Sequence, residues 1–148
     1  MTSRSIRIRN AGPEDSQAIA ALLGELGYPS EPADIPDRIS GVRGHGGAVM
    51  LAVDDNATLG LLCLTRHWGL HATGPTAYIM ALVISERARR RGVGNALVEY
   101  AKQWGLDNGC ERIAVTSAEH RDGAHEFYPA VGLPYTGRRF SANLASDI

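Results

Sequence analysis

What the chain lacks narrows its reading first. Its 148 residues include only two cysteines, Cys63 and Cys110. Each sits in an apolar, strand-like segment where buried free thiols are common, so no disulfide framework is implied and a reducing cytosol is expected. Residues 1–10 alternate charge with isoleucine instead of forming the uninterrupted apolar core of a secretory signal, and no run approaches membrane-spanning length. A cytoplasmic protein without a membrane partner is therefore expected. Net charge is −1 and the pI about 6.5, so no overall basic excess points to nucleic acid. The five histidines are scattered. His67 and His71 are four apart, but Gly69 lies between them beyond a strand-like run, so helical metal-ligand spacing does not apply and no metal site is expected. Repeats and low-complexity tracts are absent. A chain of this length predicts one domain, residues 1–148, large enough to bury a core.

The stretch around which the chain is organised is Arg89-Arg90-Arg91-Gly92-Val93-Gly94-Asn95. Before it lies an apolar run, Ala77 to Ile84, whose Tyr78, Ile79, Leu82, Val83 and Ile84 suit a strand buried on both faces. After it, Val93, Leu97, Tyr100 and Trp104 fall on one helical stripe. Strand, basic glycine loop and helix thus follow in order. A helix start leaves backbone N–H groups unpaired at the positive end of the macrodipole, and glycines there admit a diphosphate to the backbone. Spacing separates the nucleotide-loop readings. The dinucleotide fingerprint needs a third glycine where Leu97 stands, and the ATP-type loop needs a lysine that does not follow Gly94. An arginine-rich turn capping an ordinary helix is the plain alternative, and a nucleic-acid patch is disfavoured by the Gly-x-Gly and the acidic total.

The rest of the chain supplies a mixed set of elements. Ser5 to Arg9 alternates as a short strand. Pro13, Glu14 and Asp15 open a helix whose buried face is Ala18, Ile19, Leu22, Leu23 and Leu26, ended by Gly27-Tyr28-Pro29. A short helix is expected within Asp37 to Val42. Ala48 to Val53 and Leu59 to Trp68 flank the turn Asp54-Asp55-Asn56 as a β-hairpin. Asp107-Asn108-Gly109 stops the central helix, and Arg112 to Thr116 reads as a strand parallel to the Ala77 strand. A helical segment from Arg121 to Tyr128 and a last strand, Tyr135 to Leu144, follow. Pro129 removes a helical donor and biases Tyr128 away from the α region, so a kink or helix end is expected there.

Arg89, Gly92 and Gly94 form R-x-x-G-x-G after a strand ending Leu82-Val83-Ile84, which resembles the pyrophosphate-binding motif of the GCN5-related N-acetyltransferase (GNAT) family. Arg121, Ala124, Phe127 and Tyr128, with Gly132-Leu133 in a Gly-Phe place, resemble the family's later helix pattern. The resemblance is specific from Tyr78 to Leu133 and generic outside it. It implies an α/β fold in the α+β sense: the single-domain acyl-CoA N-acyltransferase fold, a mixed, splayed β-sheet flanked by helices. It further implies an acetyl-CoA-dependent N-acetyltransferase that moves acetyl to a primary amine of a small molecule or peptide by direct transfer through a ternary complex, leaving CoA. The rival from another class is a non-catalytic acyl-CoA-binding sensor or interaction module.

By the same resemblance, a bulge splays the strand before the loop, and backbone groups of Leu82, Val83 and Ile84 contact the cofactor. Arg89, Arg90, Arg91, Gly92, Val93, Gly94 and Asn95 hold its diphosphate. Tyr128 is the candidate general acid, because a phenol of pKa about 10 can donate to a departing thiolate while neutral at pH 7; core packing is the plain alternative. No base stands out among Glu86, Glu119 and His120. Glu31, Asp34 and Asp37 lie where the family builds part of its acceptor cleft and would favour a cationic amine, though ordinary surface acids are the plainer reading. A homodimer is expected from the resemblance and from the edge that Tyr135 to Leu144 would present.

Overall fold

The computed structural model describes residues 5–55, 57–116, 122–137 and 140–144. The chain divides into two compact units, Met1–Val115 and Thr116–Ile148. In the first, β1 (Arg7–Asn10) leads through a single 3₁₀ turn into α1 (Ser16–Leu26), and a second such turn leads into α2 (Ile35–Gly44). There follow β2 (Ala48–Val53), β3 (Thr58–His67), β4 (Thr76–Ile84), α3 (Val93–Asp107) and β5 (Arg112–Val115). The strands form one open sheet in the order β1-β2-β3-β4-β5. The first four pair antiparallel, and β5 joins β4 in parallel across the α3 crossover. The mixed sheet and its flanking helices match the architecture expected from the sequence.

Residue periodicity explains the layering. Ile19 and Leu22 of α1 and Ile35 and Ile39 of α2 pack with Val49, Leu51, Val53, Leu61 and Val83 on one face. On the other, α3 buries Val93, Leu97, Val98 and Ala101. Close approach there depends on small residues: a Cβ on Gly60 would lie 3.1 Å from a Leu97 methyl, and one on Gly105 would lie 3.1 Å from the Ala77 methyl. Helix ends follow one rule. In α1, α2, α3 and α4 (Asp122–Ala130) the chain leaves through a left-handed glycine, at Gly27, Gly46, Gly109 and Gly132. The 6→1 hydrogen bonds of the Schellman motif accompany them: Tyr28 to Leu23, Gly47 to Val42, Cys110 to Gly105 and Leu133 to Tyr128, at 2.8–2.9 Å.

Three expectations need correction. First, β4 is not buried on both faces: Met80 is 56% exposed, and Tyr78, Leu82 and Ile84 are only half-buried. Among the described residues β5 accompanies β4 only as far as Ile79, so Met80, Leu82 and Ile84 lie beyond it. Second, Pro129 neither kinks the chain out of α4 nor ends it at Tyr128, for α4 runs to Ala130. The proline forgoes its own N–H bond in the last turn, yet the helix continues past it and Gly132 N–H caps its carbonyl at 3.1 Å. Third, residues 134–137 and 140–144 carry no strand. Phe140 and Leu144 are 91% and 100% exposed, so the apolar side chains that suggested a strand gain no burial from one. The described residues thus lack the edge on which the dimer expectation partly rested.

Candidate functional site

The site begins with an irregularity in β4. Cys63 pairs with Ala81 and Leu64 with Ile79, so Met80 is an extra residue opposite β3 and forms a β-bulge. Among the described residues, parallel pairing with β5 stops at Ile79, immediately before that bulge. Beyond it, the orientation of the backbone can be read from the ladder. Ser85 N–H donates to the Leu59 carbonyl at 2.8 Å, and antiparallel pairs alternate between bonded and non-bonded. Val83 therefore turns its main-chain groups toward β3, whereas Leu82 and Ile84 turn theirs to the side that β5 has left. Of the three residues expected to offer backbone contacts, Leu82 and Ile84 have the required direction and Val83 does not, since β3 takes its amide.

The loop carries the second part. A 3₁₀ turn, Glu86–Ala88, follows β4, and the exposed Glu86 is anchored there by its N–H, which donates to Glu25 Oε1 at 3.2 Å. Arg90 has φ 68° and Gly92 φ 80°. A left-handed arginine costs about 1–2 kcal/mol, and such strain tends to persist at sites where the surroundings hold it. Gly92 is the N-cap of α3. The first intrahelical bond after it runs from Ala96 N–H to the Gly92 carbonyl at 3.0 Å. The amides of Val93, Gly94 and Asn95 precede that bond, and among the described residues no side chain caps them. They are the open donors of a 15-residue helix at its positive end. This donor set fits a diphosphate.

The three arginines are not equivalent. All three are exposed, but Arg91 Nη1 lies 3.3 Å from Oδ2 of the buried Asp54, at the turn between β2 and β3. Asp54 went unnoticed in the sequence because an acid in a turn is ordinary; only the fold brings it to the loop.

The other candidates divide. Glu119, His120 and Arg121 lie outside the described residues. Tyr128 is on α4 of the second unit, half-buried, with its ring edge-on to Phe127 at a centroid distance of 5.2 Å. Glu31, Asp34 and Asp37 are exposed around the start of α2, where carboxylates favour the helix dipole. His67 stacks on Tyr78, with ring centroids 5.0 Å apart. Among the described residues no group of three or more His, Cys, Asp or Glu could hold a metal, and no helix is long and apolar enough to cross a membrane.

Comparison with known proteins agrees with this geometry. An aminoglycoside N-acetyltransferase, AAC(6')-Iy in complex with CoA, superposes with TM-score 0.83 at 16% identity, covering 96% of each chain. Glucosamine-6-phosphate N-acetyltransferase from Arabidopsis thaliana does so with TM-score 0.81 at 17% identity, over 95% of this chain and 99% of that one. A transcriptional regulator from Bacillus halodurans C-125 reaches TM-score 0.84 at 19% identity, over 95% and 100%. At such identities these likenesses concern the fold. No curated protein sequence matches. The model of the Acetyltransferase (GNAT) family matches residues 17–133, which takes in the bulged strand, the loop and α3, and the chain belongs to that family.

Proposed function

We propose that the protein is an acetyl-CoA-dependent N-acetyltransferase acting on a primary amine of a small molecule or peptide, by direct transfer within a ternary complex and as a single domain spanning residues 1–148. The observation that carries this reading is the junction of β4 and α3. A strand whose described pairing with β5 ends beside a bulge at Met80 runs into a helix start whose amides are open. Acetyl-CoA supplies an activated acetyl group as a thioester. For the chain's own part, the amides of Val93, Gly94 and Asn95, with the loop arginines 89–91 and Gly92, would hold the diphosphate. The main-chain groups of Leu82 and Ile84, on either side of Val83, would orient the acyl arm. Tyr128 Oη would hold the proton destined for the leaving sulfur, a role supported by its place in the family's helix pattern. Glu86 is an exposed carboxylate at the end of β4 and remains a candidate to accept a proton from the amine.

The aminoglycoside and amino-sugar acetyltransferases among its structural neighbours support a small amine as acceptor, whereas the neighbour named a transcriptional regulator keeps the rival alive. That rival is a non-catalytic acyl-CoA sensor. Titration calorimetry with CoA tests binding, and free-thiol release from acetyl-CoA across a panel of amines tests turnover. Binding with release supports the enzyme; binding without any release favours the sensor; no binding removes both. A homodimer, proposed on resemblance alone, is checked by light scattering, where a monomeric mass would refute it.

A further inference from the structure

Asp54 stands at the turn leaving β2, 37 residues before Arg91 in the chain, yet the two meet. Its side chain is 1% exposed, and a carboxylate that deep depends on its partners. Oδ1 accepts the Ala57 N–H at 2.8 Å, while the Asp54 N–H donates to the Ala57 carbonyl at 3.0 Å. One oxygen therefore closes the hairpin turn. The other, Oδ2, faces Arg91 Nη1 at 3.3 Å. Arg91 lies between the two left-handed residues of the loop, Arg90 and Gly92, so this ion pair ties the loop's left-handed bend to the turn between β2 and β3. If Arg91 swung away to a phosphate it would forfeit its pairing with a buried carboxylate. Arg89 and Arg90, exposed like Arg91 itself, have no comparable partner among the described residues.

We infer that Asp54 is a positioning residue of the cofactor cradle. Through Arg91 it braces the Arg90–Gly92 bend that aims the amides of Val93, Gly94 and Asn95, and Arg91 serves as this brace while Arg89 and Arg90 meet the diphosphate. The inference rests on the acetyl-CoA reading above.

The test is calorimetry with CoA on the wild type, Asp54→Asn, Arg91→Gln and the double variant, each over a range of salt. Asp54→Asn keeps a side-chain acceptor for the Ala57 N–H but puts an uncharged NH2, which cannot accept from Arg91, in place of Oδ2. Each single change should weaken CoA binding roughly tenfold, with the double variant no worse than the weaker single, because both remove the same brace. The salt dependence separates brace from ligand. Losing a phosphate partner flattens it, so Arg89→Gln should flatten the plot of affinity against salt while Arg91→Gln leaves its slope unchanged. Affinity within twofold of wild type in Asp54→Asn, losses that add in full, or a slope that flattens in Arg91→Gln would overturn the inference. If Asp54→Asn does not fold, Arg91→Gln and its slope decide alone. Gly94→Val distinguishes the two levels of the argument. Wild-type affinity in that variant, or no CoA binding by the wild type, overturns the cofactor reading together with the inference. Loss in Gly94→Val beside wild-type affinity in Asp54→Asn overturns the inference only.

Discussion

Gly94→Val separates the fold from the cofactor site, because the two respond with opposite signs. Gly94 lies in the first turn of α3 and is not among the residues with positive φ, so valine can adopt its backbone conformation. Helix propensity favours valine over glycine by a few tenths of a kcal/mol, which in a chain of this size moves the melting temperature by about 1–2 °C at most. Binding should respond otherwise. The open amides of Val93, Gly94 and Asn95 gain their value from a charged partner, and a hydrogen bond to a charged group contributes about 1.5–3 kcal/mol. An isopropyl group at Gly94 would hold a diphosphate away from at least two of the three. The loss is then about 3–6 kcal/mol, or roughly 10²–10⁴-fold in Kd for CoA. Melting followed by circular dichroism and titration calorimetry with CoA read the two effects on the same sample. An unchanged melting curve with CoA affinity within tenfold of wild type would refute the assignment of the diphosphate to this helix start.

Asp15 links stability to acid. Its hydrogen bonds from Arg9, both 2.9 Å, outweigh burial and, with the Gly12 amide, hold its pKa below 3.8. A depressed native pKa gives stability that is present above 3.8 and lost as pH falls through the native value. Asp15→Asn should therefore melt lower than wild type at pH 7, with the gap closing below pH 3.8; a gap constant across that range would contradict the pairing. Burial pushes the Cys63 thiol up to about 11, and Cys110 is buried. Both should label slowly in the native protein at pH 8 and quickly in urea, so that thiol released from acetyl-CoA is read without interference; rapid native labelling would show the strand to be open. Tyr128→Phe keeps the ring beside Phe127 and deletes the donor, so turnover should fall by about 10²–10⁴-fold with CoA affinity unchanged. Turnover within twofold would return Tyr128 to packing.

The regular elements were legible because each repeats a local signal. The stripe from Val93 to Trp104 predicted α3, the glycines at 27 and 109 marked helix ends that became left-handed caps, and the turn Asp54-Asp55-Asn56 between two strand-like runs marked the hairpin. What could not be read belongs to single residues whose meaning is set by distant partners. A bulge adds one residue to an apolar run and changes no composition, so Ala77 to Ile84 looked like a strand enclosed on both faces. Its exposed Met80 and the half-buried Leu82 and Ile84 follow from where β5 stops, which is a matter of register across 36 residues. Asp54 is similar: the turn explains its presence, and only the antiparallel stacking of β2, β3 and β4 explains why it lies against the loop that follows β4.

These hidden features converge on the short stretch that the loop motif marks. The bulge at Met80 and the end of β5 pairing free the backbone of β4 on one side. The chain then makes two left-handed turns, at Arg90 and Gly92, and enters a helix whose first amides are open. Among the described residues, each feature alone has an unfavourable side: strand groups without a partner, a strained arginine, an uncapped helix. A ligand with a polar, extended arm and a charged diphosphate would satisfy the strand edge and the helix start together, and no separate repair of either would do so. Added CoA should accordingly raise the melting temperature of the wild type as its concentration exceeds Kd, by linkage, and leave Gly94→Val unmoved. A wild-type melting point indifferent to saturating CoA would mean that strand edge and helix start find their partners elsewhere.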